Sequence, residues 1–170
     1  MEEIARLRAR QLLQELRIDT PPVDVCDIAN RCGLQIEYVV RERGFDGQLL
    51  KAHRVIEVQR DTHPHRQRFT IAHEIGHYTL GHDPVFCVFD DQSSDDPRRF
   101  NEKQAQIFAS ELLMPEPWLG RYWQDADSDF RVMARAFFVS DEAMFRRLQE
   151  ANLLGLAPAE RRRRRPTSLE

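Results

Sequence analysis

The chain has 170 residues, of which 41% are hydrophobic and 31% charged, and its net charge is −3. That length and apolar content supply a real core for one compact domain with a small appendage. No apolar run approaches the length of a membrane span, and the acidic start Met1-Glu2-Glu3 does not read as a signal peptide. The three cysteines, Cys26, Cys32 and Cys87, are scattered and lack zinc-ribbon spacing, which suits a reducing cytoplasm.

Ile4, Leu7, Leu13 and Leu16 recur at helical spacing and predict an amphipathic first helix that ends before Pro21-Pro22. Val23 to Arg31 reads as a second short helix capped by Gly33. Leu34, Ile36, Tyr38 and Val40 then alternate as a strand does, and Gly44 and Gly47 mark a turn. Gln48 to Lys51 and Val55 to Gln59 predict two more strands joined near His53, so a small sheet precedes the next helix. An edge strand of that sheet is a natural place for an extended peptide to add.

The segment Phe69 to His82 carries His73-Glu74-Ile75-Gly76-His77, an H-E-x-x-H pattern on a helix. His73 and His77 stand four residues apart, so one helix face presents both imidazoles to one metal ion. Glu74 lies about 100° around the axis, where it can act on a water held by the metal as a general base. Ile71, Ala72, Ile75 and Leu80 make the helix apolar enough to be buried, and buried histidines and carboxylates need partners. Zinc, one ion per chain, is the expected cofactor, and hydrolysis the expected chemistry.

Catalytic zinc ordinarily takes three protein ligands and keeps one open position. A metzincin would have glycine at position 80 and histidine at 83, whereas this chain has Leu80 and Asp83, with Gly81 and His82 out of register. A carboxylate on the helix predicted over residues 101–115 is the alternative, with Asn101 as N-cap and Pro115 as stop. Ala105, Phe108 and Leu112 form its apolar stripe. Glu102 and Glu111 are nine residues apart and fall on opposite sides, so at most one can face the metal. Glu102 is preferred because Gln106, one turn on, can orient a ligand from the second shell. Glu111 reads as solvated, and His82, Asp83, Asp90 and Asp91 stay as outside candidates.

Cys87 lies ten residues beyond His77, in a segment that leaves the metal helix. Its thiolate could bind the zinc and hold an enzyme latent, or it could be a small buried hydrophobe between Phe86 and Phe89. Residues 90–97 read as an exposed polar loop. Phe130 to Phe138 and Asp141 to Gln149 predict two helices split by Val139-Ser140, either a helix-turn-helix or a pair that packs on the rest. The run Arg161, Arg162, Arg163, Arg164 and Arg165 leaves the first 160 residues at −7. Such a tail either attracts nucleic acid or is a solvated end.

With both metal-bearing segments in view, the chain resembles the ImmA/IrrE family of metallopeptidases. The likeness is carried by Arg68 to His77 and by Glu102 with Leu112-Leu113-Met114-Pro115. It extends to Val23–Gly33 and to Val139-Ser140, Ala143-Met144 and Arg147-Leu148. The resemblance implies that Glu102 is the third ligand, while Gln106 stands where the family usually has asparagine. It implies further a protease that cleaves a helix-turn-helix repressor, releasing genes of stress responses, mobile elements or phage defence. Phage-defence members also suggest single-stranded DNA as activator and give weight to a Cys87 switch.

The resulting expectation is an α+β, mostly helical zincin-like domain over residues 1–117, a helix-turn-helix-like unit over 118–155 and a disordered basic tail over 156–170. Its rival is a regulator that binds DNA or sequesters a repressor without cutting it, with zinc in a structural role. The base Glu74 counts against that rival, since a structural site needs none. His53, His63, His65, Tyr78 and several arginines are all open as the oxyanion stabiliser.

Overall fold

A computed structural model describes residues 2–82, 97–127 and 129–154. Cys87, Asp83, Asp90, Asp91, the 90–96 segment and Arg161 to Arg165 lie outside the described residues. The elements run α1 (Glu2–Glu15), α2 (Val25–Arg31), β1 (Gln35–Val39), β2 (Gly47–Leu50), β3 (Val55–Gln59) and α3 (Pro64–Thr79), then α4 (Pro97–Leu113), α5 (Glu116–Asp125), α6 (Phe130–Phe137) and α7 (Asp141–Glu150). The architecture is α+β, mostly helical with one small sheet. Contacts divide the chain into two compact units, Met1–Ile18 with Asp24–Leu112, and Asp19–Val23 with Leu113–Glu170. The division falls at the end of α4.

In the first unit the sheet order is β1-β3-β2. β2 and β3 form an antiparallel hairpin through the turn around His53, and β1 joins β3 in parallel. As the central strand, β3 buries Val55, Ile56, Glu57 and Val58 in succession. Buried Glu57 is held by Gln48 Nε2 at 2.6 Å and Arg41 Nη2 at 2.7 Å. Those bonds, the one from Gln48 first, depress its pKa. β1 is open at its far end, where Tyr38 and Val40 are exposed. α2 packs on β1, and α3 packs on β2 and β3.

α1 turns a different face inward from the one its large apolar residues suggest. Ala5, Ala9, Leu12 and Leu13 are buried, whereas Ile4 and Leu7 are exposed. The same helix brings Arg6 and Arg10, one turn apart, to Glu111 on α4. Arg10 Nε lies 2.6 Å from Oε1 and Arg6 Nη1 3.5 Å from Oε2. Glu111 is therefore completely buried and ion-paired rather than solvated. α4 itself starts at Pro97, so Asn101 is inside the helix and does not cap it.

The second unit contains three helices in the described residues. Pro115, which read as a stop, also opens α5: it is the N-cap, and Pro117 sits in the first turn, where a missing N–H leaves no bond unmade. α6 is capped by Asp129 and α7 by Ser140, whose Oγ accepts from the Ala143 N–H at 3.1 Å. Phe138 between them takes a left-handed conformation that ends α6. Leu119, Met133, Phe137, Met144 and Leu148 form this unit's core, and buried Arg147 donates to the Met114 carbonyl at 3.2 Å.

Candidate metal centre

α3 starts at Pro64, in the first turn where proline is tolerated, with His63 as its cap. Ten residues on, the helix repeat stacks His73 and His77 so that their Nε2 atoms stand 3.0 Å apart. α4 brings Glu102 opposite them. Its Oε2 is 3.2 Å from His73 Nε2 and its Oε1 3.2 Å from His77 Nε2. One ligand atom from each of the three residues lies within 4.8 Å of the other two.

Two imidazoles and a carboxylate are the donor set of one class of catalytic zinc site, in which bonds of about 2.0–2.2 Å space tetrahedral ligand atoms roughly 3.3 Å apart. The observed separations fit such an ion. Both histidines are mostly covered while Glu102 is about half exposed, which leaves the cluster approachable from one side. The two imidazoles hold the Glu102 carboxyl well below the usual carboxylate range, with the hydrogen bond to His73 the largest cause.

Glu74 is buried in the adjoining position. Burial, aided by the negative charge of Glu102, pushes its carboxyl up to about 7, against the pull of His77 and a backbone hydrogen bond from Leu49. Leu49 belongs to β2, an edge strand of the sheet among the described residues. Glu74, the His73–His77–Glu102 cluster and a strand edge thus adjoin one another.

His82 contributes no ligand atom to the cluster. Its Nδ1 instead lies 3.0 Å from His77 Nδ1, with the rings edge to face. Burial first, then the His77 charge, pushes its pKa down. Gln106, expected to orient a ligand, is exposed on α4 and makes no hydrogen bond to the cluster. His53 is exposed in the hairpin turn, and the rings of His63 and His65 meet edge to face at the start of α3. None of the three joins the cluster.

An H-E-x-x-H helix, a facing glutamate and a small sheet with an edge beside the base define the class of a metallopeptidase domain. The sequence model of peptidase family M78, the IrrE N-terminal-like domain, matches residues 34–149, and the chain belongs to this ImmA/IrrE metallopeptidase family. The radiation response metalloprotease IrrE of Deinococcus radiodurans is 38% identical over 74 residues. That match covers 42% of this chain but only 23% of the relative's length. A solved structure, described as a Mycobacterium tuberculosis transcriptional regulator, shares the fold at a TM-score of 0.65 and 19% identity, over 85% of this chain and 46% of its own.

Proposed function

We propose that this chain is a zinc-dependent endopeptidase that cuts a helix-turn-helix transcriptional repressor and thereby releases the genes it holds silent. The observation that carries the reading is the convergence of His73, His77 and Glu102 beside a buried Glu74. The family is a metallopeptidase family, and the similar proteins named above are a radiation response metalloprotease and a transcriptional regulator. Membership of the family with those neighbours supports a regulatory protease of the cytoplasm; no helix among the described residues is long and apolar enough to cross a membrane.

Zinc, when bound by His73, His77 and Glu102, would supply a Lewis acid for the scissile carbonyl and lower the pKa of water to about 7. The chain's own residues do the rest. Glu74 accepts a proton at its carboxylate from the attacking water and returns it to the leaving amine. The sheet edge at Gly47–Leu50 aligns an extended peptide by main-chain pairing, which explains how a strand-forming substrate segment reaches Glu74. Proline substitutions along that segment should block cleavage; unchanged cleavage would remove the pairing.

Cys87 and the arginine run belong to the same proposal through the sequence. Cys87→Ser should raise basal proteolysis, with single-stranded DNA as the activator it bypasses. Deleting residues 160–170 should abolish salt-sensitive oligonucleotide binding, and undiminished binding would reject a nucleic-acid role for Arg161 to Arg165.

The deciding experiment incubates zinc-loaded protein with the helix-turn-helix repressor encoded nearest to it, with and without single-stranded DNA, and compares wild type with Glu74→Gln by mass spectrometry. Cleavage by wild type alone supports the proposal and locates the bond. Repressor binding without cleavage under either condition supports the regulator that sequesters its partner.

A further inference from the structure

The end of α3 is built around a histidine that the ligand set does not use. Leu80 closes the helix and Gly81 follows at φ +73°, a left-handed conformation that an L side chain rarely adopts. The Gly81 N–H bonds to the Tyr78 carbonyl at 3.2 Å and the His82 N–H to the His77 carbonyl at 3.0 Å. This pair of bonds is a Schellman turn, which reverses the chain and returns His82 to the helix one turn below its end. Lys51, in the β2–β3 turn, fixes the other side of the reversal: its Nζ donates to the His82 carbonyl at 3.1 Å.

The consequence is that His82 Nδ1 meets His77 Nδ1 at 3.0 Å, while His77 Nε2 points into the cluster with His73 and Glu102. Two ring nitrogens at that distance share one hydrogen, so one donates and the other accepts. A histidine that offers Nε2 to a metal must carry its hydrogen on Nδ1. We infer that His82 is a positioning residue that accepts the His77 Nδ1–H hydrogen bond and locks His77 into the tautomer with a free Nε2 lone pair. The inference rests on the metal-site reading proposed above and deepens it. It assigns His82 the supporting role that carboxylates and carbonyls fill behind other metal-bound histidines.

Asparagine is the informative replacement, because its Oδ1 occupies the place of His Nδ1 and accepts a hydrogen bond, whereas alanine offers no acceptor. The test measures wild type, His82→Ala, His82→Asn and His77→Ala by zinc affinity in chelator competition, and metal-free wild type, His82→Ala and His82→Asn by 15N NMR of the imidazoles above pH 7, with melting curves for folding. Wild type and His82→Asn should show His77 protonated on Nδ1, while His82→Ala mixes the tautomers and binds zinc about 10–100-fold more weakly. Zinc affinity and His77 tautomer in His82→Ala equal to those of the wild type would overturn the inference, and the loss of zinc in His77→Ala would then leave the metal site itself standing. Failure of the wild type to bind zinc, or binding unchanged in His77→Ala, would overturn both. The tautomer measurement reads the hydrogen bond even if His82→Ala is less stable.

Discussion

Gly76 lies directly against the ring of Phe108. A Cβ at position 76 would stand 3.0 Å from Phe108 Cδ1 and 3.3 Å from the Cα of Ala105, closer than side chains normally pack. The glycine between Glu74 and His77 thus lets α4 approach α3, and that approach delivers Glu102 to the two histidines. Gly76→Val should force the helices apart, costing about 1–3 kcal/mol for the overpacking and weakening zinc binding in the folded fraction. Chelator competition alongside thermal melts checks it; zinc affinity unchanged from wild type would show that Glu102 does not depend on this contact.

Glu74→Gln removes the proton acceptor while keeping the shape of the side chain and the three ligand residues. Proteolysis should fall by about 10²–10⁴-fold with zinc content near that of the wild type, measured by single-turnover cleavage and metal analysis. Activity within a few-fold of wild type would sink the role of this carboxylate.

Glu111 is enclosed by protein and bound by two arginines from α1. Glu111→Ala leaves Arg6 and Arg10 facing a buried gap, and should destabilise the first unit by about 2–3 kcal/mol. Because Glu111 is on the side of α4 away from Glu102, the variant's remaining folded protein should bind zinc normally. Denaturant titration measures the first effect and metal analysis the second.

The Glu57 carboxyl titrates below the ordinary glutamate range in the folded chain, held there by Gln48 and Arg41. A depressed pKa means that its stabilising contribution is complete above the unfolded value of about 4.3 and is lost as pH falls through the folded one. Glu57→Gln should therefore be less stable than wild type near neutrality, with the difference shrinking in acid. Urea melts between about pH 3 and 7 would show it; a constant difference across that range would mean the charge is not what matters.

The H-E-x-x-H helix, the first strand and the second helix were legible because each rests on a local signal: four-residue spacing on α3, the alternation of Leu34, Ile36, Tyr38 and Val40 around β1, and the Gly33 that follows α2. The Glu102 assignment was legible only as a choice between two acids, since helix periodicity gives opposite faces and not which face is inward. α1 and α5 show where local patterns fall short. The apolar repeat pointed to Ile4, Leu7, Leu13 and Leu16, but of these only Leu13 is in the buried stripe, which Ala5, Ala9 and Leu12 complete. Pro115 marked the end of one helix and, equally, the beginning of the next.

The sequence by itself determined that His73 and His77 share one helix face with Glu74 beside them, because that depends on spacing along a single element. Tertiary structure alone decided that Glu102 faces the histidines and Glu111 the arginines, since only the packing of α4 on α3 through Gly76, and the reach of α1, give the two faces different surroundings. It also decided that His82 backs His77 instead of joining the ligands. That contact depends on a left-handed glycine turn and on a lysine some thirty residues earlier in the chain, a distance across which no local pattern carries information.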